Sequence, residues 1–76
     1  MTTPDDIAKY DAKIAHYERR AAALRARAAV LRNEGSDGRK RAALLEASAM
    51  SNDLMRIRHI NLRDFKLAEL EAANAS

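Results

Sequence analysis

The sequence predicts an all-α protein, an antiparallel, coiled-coil-like helical hairpin with dimerisation into a four-helix bundle as a further option. Three observations carry that expectation. Ile7, Tyr10, Ile14, Tyr17, Ala21, Leu24, Ala28 and Leu31 recur on a seven-residue ladder, and alternating steps of three and four keep such residues on one stripe of a helix. The chain of 76 residues holds one Pro and two Gly, a composition suited to long helices. Both glycines fall in Asn33-Glu34-Gly35-Ser36-Asp37-Gly38, and a connection this short makes the flanking helices antiparallel neighbours.

Residues 1–76 therefore read as a single helical-hairpin domain, with helices over 4–33 and 39–73 and a turn over 34–38. Thr3 is the expected N-cap of the first helix, because its hydroxyl can accept from a free backbone N–H. Pro4 suits the first helical position, and Asp5 and Asp6 suit the positive end of the helix dipole. At 1.5 Å per residue this helix is roughly 45 Å long. Tyr10 and Tyr17 are expected to bury their rings in the seam and keep their hydroxyls at its edge. At the turn, Gly35 fits a position of positive φ, and Ser36 or Asp37 can cap the second helix.

The second helix offers two apolar stripes. Ala43, Ala47, Met50, Leu54, Ile57, Asn61, Phe65 and Ala68, with Leu44 and Leu62 at the edge, are expected to face the first helix. Leu45, Ile60, Leu67 and Leu70 lie well round the cylinder and are the expected surface for self-association or a partner. Ser51-Asn52-Asp53 is weakly helix-forming, and Asn61-Leu62-Arg63-Asp64 resembles a helix start, so a kink or break near residues 51–61 competes with a continuous helix. Residues Ala73–Ser76 are expected to fray.

The net charge of +3 is unevenly spread. Counting Lys and Arg against Asp and Glu gives about −2 for residues 1–18, roughly +6 for 19–41 and about −1 for 42–76. A fold back near residue 35 gathers the cations at the turn end. Lys9, Lys13, Arg20 and Arg27 flank the apolar ladder on one side, with His16 beside them, and Arg25 and Arg32 lie on the other. Arg39-Lys40-Arg41 is expected to open the second helix, where the dipole disfavours cations and an external anion would be welcome. The candidate basic contact residues are thus Lys9, Lys13, Arg20, Arg27, Arg32, Arg39, Lys40 and Arg41.

Catalytic constellations are missing. The chain has no Cys, no Gly-rich phosphate loop and no paired-His metal spacing, so no enzyme, metal, cofactor or small-molecule substrate is expected. His16 and His59 fall near one level of an antiparallel hairpin, and two imidazoles alone rarely hold zinc. The first residues carry neither a basic nor an apolar leader and no apolar run is long enough for a bilayer, which predicts a cytoplasmic protein without membrane contact. The function expected from these features is non-enzymatic docking on a larger protein or ribonucleoprotein complex, in the manner of phage- or plasmid-encoded inhibitors of bacterial machinery such as anti-CRISPR proteins. The competing expectations are nucleic-acid binding through phosphates, as a hairpin or homodimer, and a structural oligomerisation module. Few aromatic residues accompany the cations, which disfavours base stacking on single strands.

Overall fold

The computed structural model describes residues 1–75. It contains two helices, α1 (Pro4–Leu31) and α2 (Gly35–Ala75), and no strand among the described residues. The helices run antiparallel and in contact along α1, as shown by bridges from Thr2 to Glu69, Asp11 to Arg63, Arg25 to Asp53 and Arg32 to Glu46. The molecule measures 61 × 14 × 13 Å. At 1.5 Å per residue, the 41 residues of α2 account for its long dimension.

The start of α1 is set by its capping residues. Thr3 Oγ1 accepts from the Asp6 N–H at 3.3 Å, and the Thr3 N–H donates to Asp6 Oδ2 at 3.0 Å. This reciprocal arrangement satisfies two backbone donors that a bare helix end would leave free. The Thr3 N–H also holds the Asp6 carboxyl below its usual pKa. At the far end, the Arg32 N–H reaches Ala28 O and the Glu34 N–H reaches Leu31 O, both at 3.0 Å. Gly35, at φ 86°, is the residue in the left-handed region, where a side chain would be strained.

The α1 ladder faces α2 in full. Ile14, Ala21 and Ala28 are buried, and Ile7, Tyr10, Tyr17, Leu24 and Leu31 are half-buried. Alanines dominate the deepest layer, since Ala28, Ala42 and Ala49 are completely covered. Small side chains at a helix crossing let the two backbones come close, at the cost of little apolar area per contact.

On α2 the expected seam is the wrong stripe. Met50, Leu54 and Phe65 are at least 60% exposed, Leu44 is 70% exposed, Ile57 and Leu62 are exposed, and Ala43, Ala47, Asn61 and Ala68 face solvent as well. The residues against α1 are Gly38, Ala42, Leu45, Ala49, Asn52, Arg56, His59, Arg63, Lys66 and Leu70, again at alternating steps of four and three. Leu45, Ile60 and Leu70, expected on a free surface, are therefore half-buried, and of that set Leu67 is exposed. The physical reason lies at the turn. Gly38 is buried against the Leu31 carbonyl, and that close approach sets the rotation of α2 about its own axis. The long polar side chains further along α2 then lay their stems along the seam and put their charged ends at its edge.

Three helix ends differ from expectation, the first being α1, which stops at Leu31 rather than 33. α2 begins at Gly35 rather than 39, so Ser36 and Asp37 lie inside its first turn. Through residues 51–61 it is unbroken, so the continuous helix holds there and the competing kink or break does not occur. There the Asn52 side-chain amide donates to Ser48 O at 2.8 Å, and His59 Nδ1 donates to Met55 O at 2.7 Å, so weak helix formers are tied to their own helix. α2 also continues to Ala75 rather than fraying from Ala73, while Ser76 lies outside the described residues.

Candidate interaction surface

The two sides of the seam carry different chemistry. Arg25 and Arg32 each lie one step after a ladder residue of α1, and their partners Asp53 and Glu46 do the same on α2. One step is about 100° of helix rotation, so these i+1 positions define one side of the hairpin. Arg63 joins them, reaching Asp11 at 3.0 Å and Asp64 at 3.1 Å. The Arg25 guanidinium is bidentate on Asp53 and holds its carboxyl below the usual range, while Asp53 raises the Arg25 pKa. Arg25, Arg32 and Arg63 on this side are paired across the two helices.

The opposite side holds the positions one step before the ladder, and there cations lack partners. Lys13, Arg20 and Arg27 lie seven residues apart on one line of α1, and Lys9 sits one turn before Lys13. Arg41 occupies the equivalent place on α2, since it shares a hollow with Arg27. Among the described residues, none of these five lies within ion-pair distance of a carboxylate. All five are exposed.

Two hollows open on this side. The larger, about 330 Å³, lies near the chain start between Lys9, Lys13, Tyr10 and Lys66, with Asp6 and Glu69 in its wall. The other, about 290 Å³, has Leu31, Leu44 and Leu45 as its apolar lining and Arg27 and Arg41 beside them. Leu44 at 70% and nearby Val30 at 62% exposure extend its apolar character. An arginine pair over a leucine floor suits a carboxylate next to an apolar group, because guanidinium binds carboxylate with two parallel hydrogen bonds.

Of the eight basic residues singled out in the sequence, the fold thus brings together Lys9, Lys13, Arg20, Arg27 and Arg41. It removes Arg32, which Glu46 satisfies on the other side. Arg39 and Lys40 are exposed but turn away from Arg41 by helix rotation. The three also lie in the second turn of α2, beyond the first turn over which the dipole acts. Leu31 and Leu44 were missed as lining residues. Leu31 lies on the α1 ladder and Leu44 beside the α2 ladder, and only the correct rotation of α2 reveals that they share a hollow.

The histidines part company. His59 is 9% exposed, packed near Tyr17 at 5.2 Å and Tyr10 at 6.4 Å between ring centroids. His16 is exposed and meets Tyr17 edge-on at 5.5 Å. Among the described residues, no group of three or more His, Cys, Asp or Glu is placed to hold a metal. No helix there is long and apolar enough to cross a membrane.

The fold and this surface define a two-helix hairpin with paired charges on one side and unpaired cations on the other. Comparison with protein-family models, curated proteins and solved structures finds no match.

Proposed function

We propose that this protein is a non-enzymatic docking module, which binds a larger protein or ribonucleoprotein assembly through the basic side of the hairpin. The observation that carries this reading is the hollow where Arg27 and Arg41 stand over Leu31, Leu44 and Leu45. A phosphate backbone needs only the cations. A protein surface that pairs carboxylates with apolar side chains uses the leucines too, and buried apolar and arginine contacts supply most of the energy at such interfaces. An inhibitor that occludes a contact surface of bacterial machinery, anti-CRISPR-like in style, is one form of this function. A cytoplasmic setting goes with it.

Nucleic-acid binding is the second reading, favoured by the line Lys9, Lys13, Arg20 and Arg27, whose cations have no carboxylate partners among the described residues. The two are separated by comparing wild-type protein with an Arg27→Glu/Arg41→Glu variant in nuclease-treated host lysate, and by titrating both onto generic duplex DNA and RNA at rising salt. Docking on protein predicts a nuclease-resistant partner lost by the variant. It also predicts weak nucleic-acid binding. A partner set unchanged in the variant would remove the hollow from the account. Tight duplex binding with a steep salt dependence would favour the second reading.

A further inference from the structure

The back of α2, away from α1, carries a second ladder that the fold leaves uncovered. Ala43, Ala47, Met50, Leu54, Ile57 and Asn61 recur at steps of four and three, the same period as the seam within the hairpin. Met50 is 63%, Leu54 67% and Ile57 48% exposed. A stripe of period 3.5 held over five turns is tracked along its length only by another helix.

We propose that this face pairs with the same face of a second copy of the chain, the two α2 helices running parallel and in register. The residues flanking the stripe carry the argument. In a parallel pair, the residue one step before each of Ala47, Leu54 and Asn61, which share one of the two alternating core positions, faces the residue five further on in its neighbour. Asp53, which Arg25 of its own chain also holds from the seam side, then faces Arg58 of the second copy, and half-buried Ile60 faces Phe65, which is 60% exposed. Arg58 is exposed and has no carboxylate partner among the described residues. The core layers are Leu54 on Leu54, Ile57 on Ile57 and Asn61 on Asn61. A lone Asn at this type of core position hydrogen-bonds to its twin and fixes parallel, in-register pairing at a cost in stability.

The antiparallel arrangement lacks these matches. It sets flanking residues of one class opposite the same class, so Asp53 meets Ile60 or another Asp53, and Arg58 meets Ser51 or another Arg58. It also leaves the Asn61 amide against Met50, a polar group facing an apolar one. Asp64 continues the stripe, and its link to Arg63 at 3.1 Å pulls it aside, so the apolar seam ends at Asn61. The pairing is isologous and closes at two copies. Its surface is distinct from the Arg27–Arg41 hollow, so the two proposals stand or fall separately.

The test is the solution mass of the full chain by light scattering or sedimentation equilibrium. The wild-type protein is expected at twice its 8.5 kDa chain mass. A Leu54→Glu/Ile57→Glu variant is expected at the single-chain mass with unchanged helicity, since both side chains are already exposed within the hairpin. Val30→Glu, on exposed α1 surface, is expected to stay dimeric. Ala47→Cys in this cysteine-free chain is expected to cross-link on mild oxidation, because position 47 meets itself only in the parallel pair. A monomeric wild type, or a dimer that survives the double substitution, overturns the interface. A dimer whose Ala47→Cys form does not cross-link overturns the parallel register.

Discussion

Gly38 lies against the backbone carbonyl of Leu31, so close that a β-carbon there would overlap the Leu31 oxygen and come within 2.9 Å of Glu34 Cβ. Leu31 O already accepts from the Glu34 N–H at 3.0 Å, so that backbone is not free to yield. Gly38→Ala is accordingly expected to lower stability by about 1–3 kcal/mol, the range for overpacking, despite the better helix propensity of Ala. Thermal melting monitored by circular dichroism checks it. A variant as stable as wild type or more so would show that the helices do not meet this closely at the turn.

The rotation of α2 is tested by two alanines two residues apart. Ala49 is completely covered and Ala47 is exposed. Ala49→Leu is expected to cost about 1–3 kcal/mol by forcing the helices apart, whereas Ala47→Leu is expected not to lower the melting temperature. The reverse order of stabilities would restore the larger apolar stripe to the seam.

Leu24 is half-buried between Ala21 and Ala28 on the α1 ladder. Leu24→Asp sets a charge in that seam, where an unpaired polar group costs several kcal/mol. Loss of cooperative melting is the expected result. Retained helicity with an unchanged melting curve would contradict the packing of α1.

Acid should weaken the hairpin through Asp53. Arg25 holds the folded-state carboxyl below its ordinary pKa, so the unfolded chain takes up the proton first as pH falls. The contribution is therefore present above the unfolded value of about 3.9 and is lost as pH drops through the lower folded value. Asp53→Asn is expected to flatten part of the decline in stability below about pH 4. A decline as steep as that of wild type would mean the pair makes no contribution. Both groups lie at the surface, where screening keeps such pairs weak.

α1 was legible in the sequence because pattern and packing agree. Every residue of its ladder is apolar, and Thr3, Pro4 and Asp6 mark its start in types suited to capping. α2 was not legible, because its larger apolar residues lie on the side that α1 does not cover. Its packed ladder runs through Asn52, Arg56, His59, Arg63 and Lys66, which no hydrophobic period can find. Two features offset their polarity. His59 donates to Met55 O beside two tyrosine rings, and Arg63 reaches carboxylates at the seam edge. The basic cluster was half legible for the same reason. Lys9, Lys13, Arg20 and Arg27 on one flank and Arg32 on the other can be placed from α1 alone, while setting Arg41 with the first four and pairing Arg32 with Glu46 needs the rotation of α2.

That rotation is the claim on which the hollow, the charge segregation and the free α2 stripe all depend. The most direct measurement is a solution nuclear Overhauser spectrum of the aromatic rings. Ring protons of Tyr17 are expected to show contacts to the ring of His59, whose centroid lies 5.2 Å away, and none to Leu54 or Ile57. Strong contacts from Tyr10 or Tyr17 to Ile57 or Leu54, without one to His59, would contradict it.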